Sequence, residues 1–203
     1  SYTYIALDNQ TITPTSGATF LFEKLDLYQG RLVTDVYRYS SQIANQRFPM
    51  LNANIDTSTI TINVTSNNVI TAWTQATDLT NITTKSKVFY IQENDDGLFE
   101  IYFGDGIIGD KPKDGDQISI SYLVTDTTHT NGANVFSMIT AINGNSNVSF
   151  TNVVSASGGK DVETTDQIKF SASKFYTSQN RLVTVQDYKA KLQDLYPGAD
   201  SIA

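Results

Sequence analysis

Apolar residues occupy every second position in several stretches of this 203-residue chain. In Gln117–Val124 (QISISYLV) the alternating residues are Ile118, Ile120, Tyr122 and Val124. Successive side chains of a β-strand point to opposite faces, so a period of two places one face in a core and the other in solvent. The pattern therefore predicts half-buried, antiparallel strands. Two further stretches show it: TITINV (Thr59–Val64) and LFEIYF (Leu98–Phe103).

Two of these predicted strands, LFEIYF and QISISYLV, come directly after a third apolar run in the sequence. The apolar run Val88–Ile91 is joined to LFEIYF by ENDDG, a tight-turn signal in which Gly97 can adopt positive φ. The glycine-rich loop Gly104–Asp116 then leads into QISISYLV. We expect residues 88–124 to form a three-stranded meander.

The hydrophobic period becomes helical after the Ser/Gly-rich hinge Ser155–Asp161. Thr164-x-x-Gln167 is a possible capping box, and Thr184-x-x-Asp187 resembles a second one. Pro197-Gly198 would end the second helix. The two short helices are expected to pack onto the β body through an apolar stripe that includes Phe175, Tyr188, Leu192 and Leu195.

The predicted fold class is α+β, mainly β. Antiparallel β-sheets in sandwich-like lobes are followed by a C-terminal pair of short helices. The expected boundaries are an N-terminal β lobe at residues 1–66, a β meander or sandwich lobe at 67–155, and a helical segment at 156–203. The chain, from Ser1 to Ala203, is interpreted as an internal piece of a larger protein.

Composition and charge exclude several functional classes. The net charge of −7 argues against a nucleic-acid surface, because phosphates need clustered Lys and Arg. The absence of Cys excludes disulfides, Cys-based zinc sites and a Cys nucleophile. No apolar run approaches the roughly 20 residues that span a bilayer. We therefore predict neither nucleic-acid nor membrane partners.

The loop after LFEIYF fits the dinucleotide-binding pattern G-x-G-x-x-G at Gly104, Gly106 and Gly109. Such a site needs a helix that starts at the third glycine and directs its N-terminal amides at the pyrophosphate. Pro112 and Gly115 follow instead and disfavour a helix. The glycines are predicted to let the backbone turn between two strands.

Other candidate sites are weak. The loop holds four aspartates, but their order does not match an EF-hand. His129 is the only histidine, so a catalytic triad or a His-based metal site would depend on it alone. A carboxylate hydrolase would need two acids across a cleft, which acids on one turn do not supply. We predict no catalytic residues, no cofactor and no metal, and hence no enzymatic activity.

Three stretches together resemble the phage baseplate wedge proteins, the baseplate-J-like group that includes the T4-type wedge subunit. They are Leu27–Val64, Phe99–Phe136 and Ser155–Leu192. In the second stretch the matching residues are Phe103, Gly104, Asp105, Gly106, Gly109, Pro112, Gly115, Tyr122, Gly132 and Asn134. In the third they are Gly158, Gly159, Asp161, Glu163, Ile168, Ala172, Phe175, Gln179, Asn180, Arg181, Val183, Thr184, Asp187 and Tyr188.

The resemblance implies a structural subunit of a contractile-tail baseplate, located in the virion and assembled in the host cytoplasm. In that family two copies pair, and the pairs join into an inner ring. Other wedge subunits and the sheath-initiating subunit attach to it. No catalytic activity is attributed to the group, and no cofactor is implied.

The resulting candidates for subunit contacts are Phe103, Gly104, Asp105, Gly106, Gln179, Asn180, Arg181 and Tyr188. For Arg181 a local pair with Asp187 is the alternative. The alternative for the whole chain is a carbohydrate- or receptor-binding β module of a tail fibre or adhesin, with Trp73 and tyrosines on a sugar-binding face.

Overall fold

The computed structural model describes residues 1–7, 11, 20–22, 24–77, 79–142, 144–169, 172, 185 and 188. Contacts divide the chain into two units, residues 1–125 and 126–203. The first unit contains strands β1 (Tyr4–Ile5), β2 (Tyr28–Gln29), β3 (Arg31–Arg38), β4 (Phe48–Pro49), β5 (Ile55–Ser66), β6 (Val69–Gln75), β7 (Val88–Glu93), β8 (Phe99–Phe103) and β9 (Gln117–Val124). The second contains a 3-10 helix, η1 (Thr127–Thr130).

Seven of the strands form one sheet in the order β3-β9-β5-β6-β7-β8-β4, and β1 pairs separately with β2. Neighbouring strands are antiparallel except β6 and β7, which are parallel through Thr74–Val88 and Gln75–Phe89. The predicted mainly β character is confirmed. The predicted sandwich-like lobes are corrected to a single mixed sheet that curls around one core.

The core lies inside this sheet, and the alternation in the sequence marks it correctly. Ile118, Ile120 and Tyr122 of β9 are fully buried, as are Ile62 of β5 and Ile101 of β8. The remaining buried members of the cluster are Phe48, Met50, Val64, Trp73 and Phe89. Because the strands contribute their inward-facing residues to one cluster, burial of that face stabilises the whole sheet.

Tyr37 links the two ends of the sheet. Strands β3 and β4 are its edges, and the Tyr37 ring of β3 lies 5.5 Å from the Phe48 ring of β4. The Tyr37 hydroxyl group donates a hydrogen bond to the carbonyl oxygen of Pro49. These contacts bring the edges together, so that the sheet is nearly closed. We refer to strands β3 to β9 as the barrel-like sheet.

The hairpin between β5 and β6 turns at Asn67 and Asn68, both with positive φ (49° and 64°). Two-residue hairpins favour such a conformation, and Asn tolerates it better than most residues. Strands on either side of the predicted boundary at residue 66 are thus paired in the same sheet. The boundaries at 1–66, 67–155 and 156–203 stay predictions.

The predicted meander of residues 88–124 is correct for its first hairpin only. Strands β7 and β8 pair through the turn at Asn94–Gly97, where Gly97 has φ +75°. Strand β9 does not pair with β8 but lies between β3 and β5. Both partners of β9, strands β3 and β5, come from the first 66 residues, and the alternation within a strand does not specify such distant partners.

The predicted C-terminal helix pair is wrong for the part of the chain that the structure describes. The one helix described from end to end is η1, which was not predicted. Residues 165–169 have helical backbone after the predicted capping box, in which the Thr164 amide donates to Gln167 Oε1 (2.8 Å). Tyr188 of the stripe is half exposed, and so is Ile168 within residues 165–169, so these described residues show no buried helical face. Phe175, Leu192 and Leu195 lie outside the described residues.

None of the helices among the described residues has the length and hydropathy needed to cross a membrane.

Candidate subunit-contact loop

The loop Gly104–Asp116 joins two strands that are not neighbours in the sheet. It leaves β8, which pairs with β7 and β4, and enters β9, which pairs with β3 and β5. The pairing of these two strands that the predicted meander requires is therefore wrong, but the predicted turn at the glycines is present. The glycines serve a tight turn within a connection that runs from one part of the sheet to another.

The first part of this loop, Gly104–Gly109, folds back on itself. The Gly106 amide donates to the carbonyl oxygen of Gly109 (3.1 Å), and both residues have positive φ. A Cβ atom at Gly104 would lie 2.4 Å from the carbonyl oxygen of Ile108. Gly109 is buried against Val88. Only glycine fits this close approach of backbone to backbone at position 104.

Asp105 holds this turn with its carboxylate. Asp105 Oδ1 accepts hydrogen bonds from the amides of Ile107 (2.8 Å) and Ile108 (3.0 Å). These bonds favour the ionised carboxylate and hold the pKa of Asp105 below its ordinary value. Asp110 accepts from the Lys111 amide, while its own amide donates to the Ser86 carbonyl oxygen (2.8 Å each).

The second part of the loop is hydrogen-bonded to residues 39–41, which directly follow β3. Asp114 Oδ1 accepts from the amide and the hydroxyl group of Ser41 (2.8 and 3.0 Å), and these bonds lower the pKa of Asp114. Asp116 Oδ2 accepts from the Lys113 amide (2.8 Å). The Gly115 amide donates to the Tyr39 carbonyl oxygen (2.9 Å). All four aspartates of the loop thus bind backbone amides.

This geometry offers no dinucleotide site, because residues 110–116, which directly follow Gly109, form no helix. Among the part of the chain that the structure describes, no three His, Asp or Glu side chains are grouped to hold a metal ion. His129 lies in η1, where its Nδ1 is 3.1 Å from the Asp126 carbonyl oxygen. A cavity of 420 Å³ in the second unit is lined by uncharged side chains only: Phe136, Ser137, Met138, Ile139, Ala141, Ser146, Val148 and Phe150.

The structure describes five of the eight predicted contact residues, four in the loop and its preceding strand and one near the end of the chain. Phe103 is partly buried and packs its ring against Trp73 (5.0 Å) and Phe48 (5.7 Å), whereas Asp105 is exposed at the turn. Tyr188 is 51% exposed. The structure describes Gly104 and Gly106 within the turn, but Gln179, Asn180 and Arg181 lie outside the described residues. Their role in subunit contacts stays a prediction.

The tyrosines of the outer face of β7 and β8 pack on each other. Tyr90 and Tyr102 are stacked, with ring centroids 5.0 Å apart. The Arg47 guanidinium lies 4.0 Å from the centre of the Tyr102 ring, and its Nε is 3.7 Å from Glu100. Trp73 is buried in the core. Because these rings already have partners, they form no free stacking platform for a sugar.

Ser155–Asp161, predicted as a hinge, is hydrogen-bonded in the second unit. The Asn131 side chain donates to the Gly159 carbonyl oxygen (2.9 Å) and accepts from the Gly159 amide (3.0 Å). The Ala156 amide donates to the Ala133 carbonyl oxygen (2.8 Å). Asp161 accepts a hydrogen bond from the Thr128 hydroxyl group. Side-chain hydrogen bonds from Thr127 and, to a smaller extent, Thr128 lower the pKa of Asp161. The segment is thus tied to η1 and to the residues after it.

Two exposed residues escaped the sequence analysis. Ile107 and Ile108, at the tip of the Gly104–Gly109 turn, are 73% and 54% exposed. The sequence feature that could have identified them is an apolar pair between turn glycines and acids, because a solvated loop favours polar residues at such positions.

The comparisons with known proteins agree with the resemblance. Residues 31–125 match the family "Bacteriophage baseplate wedge protein gp6, third domain". The chain is 30% identical over 191 residues to baseplate wedge protein gp6 of Enterobacteria phage T4. This alignment covers 82% of the chain and 28% of the relative, so the chain spans about a quarter of the relative's length.

The matched family is a structural, non-enzymatic one of the viral tail baseplate, which confirms the predicted structural class and virion location. The region of the match coincides with the barrel-like sheet, since β3 begins at Arg31 and β9 ends at Val124. The predicted resemblance to the baseplate wedge proteins is therefore confirmed, and the barrel-like sheet is the region that matches the third domain of the bacteriophage baseplate wedge protein gp6 family.

Proposed function

We propose that this chain is part of a structural subunit that builds the inner ring of a contractile-tail baseplate. In this proposal the complete protein self-associates into pairs, and it contacts other wedge proteins and the sheath-initiating subunit. The observation that carries the proposal is the 30% identity to T4 baseplate wedge protein gp6 over 191 residues. Because the chain spans 28% of that relative, the role of the whole protein is an inference.

The chemistry of the described residues is consistent with a scaffold. Each aspartate of the Gly104–Asp116 loop binds backbone amides rather than facing a second acid across a cleft. No buried side-chain polar atom among the described residues lacks a hydrogen-bond partner. Carboxylates that accept hydrogen bonds from backbone amides make the loop rigid, and they are not positioned to act as a nucleophile or a general base. The proposed contact surfaces are those predicted from the sequence, including Asp105, Arg181 and Tyr188.

The test is to locate the complete protein in the phage. An epitope tag on the complete chain, detected by immunogold electron microscopy of purified tails, is expected to label the baseplate. A capsid protein with the same tag is the control and should label heads only. Light scattering of the purified complete protein should show at least a dimer. Label along tail fibres together with a glycan-array signal would replace this proposal with the carbohydrate-binding alternative.

A further inference from the structure

Ile107 and Ile108 form an exposed apolar tip on the loop, 73% and 54% exposed. We infer that this tip inserts into an apolar pocket with a basic rim on a different baseplate protein. The inference rests on the proposed structural function and names the chemistry of one contact.

The other residues of the turn have roles within the fold, and the two isoleucine side chains do not. Gly104, Gly106 and Gly109 allow the backbone to double back, and Asp105 binds the amides of both isoleucines. The backbone groups of the isoleucines make contacts within the fold, since the Ile108 carbonyl oxygen also lies 3.4 Å from the Tyr90 hydroxyl group. Their side chains extend into solvent. Burial by a partner would explain why apolar residues occupy the tip.

The tip is held in place before any partner arrives. Two amide–carboxylate bonds from Asp105 and the Gly106–Gly109 backbone bond fix the turn. The bond from the Asp110 amide to the Ser86 carbonyl oxygen anchors its base next to β7. Ile is stiff at χ1 because it is branched at Cβ. A rigid loop with stiff side chains loses little conformational entropy on binding. This property suits the anchor residues of an interface.

Charge indicates the kind of pocket and argues against a second copy of the same loop. Residues 103–116 contain four aspartates and two lysines. Hydrogen bonds keep the pKa values of Asp105 and Asp114 low, so both carboxylates stay ionised at neutral pH. Two such loops facing each other would repel, and the chain as a whole is acidic, with a net charge of −7. A basic rim on another protein is the complementary surface.

The first experiment replaces both isoleucines in the complete protein, as Ile107→Ser with Ile108→Ser. The amount of this variant in purified baseplates is expected to fall by about tenfold or more relative to wild type, the size expected for loss of an apolar interface anchor. The urea unfolding midpoint should stay unchanged, because both side chains are exposed. The control Ile70→Ser removes a similarly exposed isoleucine (69%) from β6 and should be incorporated like wild type.

A photo-crosslinker in place of Ile107 identifies the occupant. In assembling phage, crosslinking to an apolar segment flanked by Lys or Arg in a different baseplate chain supports the inference. Crosslinking to a second copy of this chain overturns it, and so does normal incorporation of the double variant. If even the wild-type protein is missing from baseplates, the proposed function fails as well. The two failures are therefore distinguishable.

Discussion

Tyr122 is the largest fully buried side chain of the barrel-like sheet, and it carries a polar group into the core. Its hydroxyl group donates to Asp35 Oδ2 (2.5 Å) and accepts from Asn52 Nδ2 (2.8 Å). Burial, followed by the bond to Asp35, raises the pKa of Tyr122 to about 12. One residue of β9 thus holds the neighbouring edge strand β3 and the segment after β4 in place.

We expect Tyr122→Phe to lower the free energy of unfolding by about 1–3 kcal/mol. The substitution leaves the partly buried Asp35 carboxylate without its donor and Asn52 without its acceptor, and an unsatisfied partner costs about that amount. Urea unfolding followed by Trp73 fluorescence measures the change. Tyr2→Phe, at an exposed tyrosine, is the control and should change stability by less than about 0.5 kcal/mol. Equal unfolding midpoints for the two variants would contradict the assigned role of the hydroxyl group.

The same hydroxyl group gives the prediction a pH dependence. Its pKa is about 12 in the folded chain and about 10 in an unfolded one, so the folded state keeps the proton in that range. The contribution of Tyr122 is therefore fully present below pH ~10 and is lost as the pH rises toward ~12. Wild type should lose more stability than Tyr122→Phe across this interval. Parallel losses would show that Tyr122 does not titrate with unfolding.

At the scale of elements, strand β5 contains an irregularity that a side chain repairs. Its register with β9 shifts between Asp56, which pairs with Leu123, and Thr61, which pairs with Ser121. The Leu123 amide donates to the Thr59 hydroxyl oxygen (3.1 Å). The Thr59 hydroxyl group in turn donates to the Asp56 carbonyl oxygen (2.7 Å). A bulge leaves backbone groups unpaired, and here one threonine satisfies two of them.

Thr59→Val is expected to destabilise the chain by about 1–3 kcal/mol, because the Leu123 amide, on a residue that is fully buried, loses its acceptor at nearly constant side-chain volume. Thr61→Val is a matched control on the same strand, where the side chain is exposed. Hydrogen exchange of the Leu123 amide should become faster in Thr59→Val only. Unchanged exchange at Leu123 would show that water or another group replaces the hydroxyl oxygen.

The elements also show which parts of the fold a sequence can predict. Alternation identified the buried faces of β5, β8 and β9, because the period of two is a local property of each strand. It did not identify strand neighbours: Arg31 pairs with Val124, and nothing in either strand specifies that distant partner. The capping box at Thr164 was correct for a similar reason, because its hydrogen bonds span three residues. Burial of the predicted helical stripe depends on tertiary contacts, which periodicity does not supply.

The local features of the Gly104–Asp116 loop could also be predicted from the sequence, but its long-range contacts could not. Its glycines were correctly assigned to a turn, because positive φ at Gly106 and Gly109 is a local requirement. The contact of Asp114 with Ser41 was not predictable, because the two residues lie far apart in the sequence. The exposed Ile107 and Ile108 pointed to a partner only after the structure showed that the core does not bury them.

At the scale of the molecule, the barrel-like sheet is complete within a short part of the chain. All seven of its strands lie between Arg31 and Val124. Its buried cluster runs from Phe48 to Tyr122, and Tyr37 closes the seam from within the same range. The family match covers residues 31–125, which is the same part. A segment that holds its own core and closes its own sheet meets the requirement for an independently folding domain.

We therefore expect a fragment of residues 31–125 to fold alone. It should unfold cooperatively in urea and keep a near-ultraviolet signal from Trp73, which is 6% exposed in the core. A fragment of residues 48–125 is the control. It lacks β3, so Tyr122 loses Asp35 and β9 becomes an open edge. If both fragments unfold cooperatively with the same midpoint, β3 contributes little to the sheet, and closure through Tyr37 does not stabilise this domain.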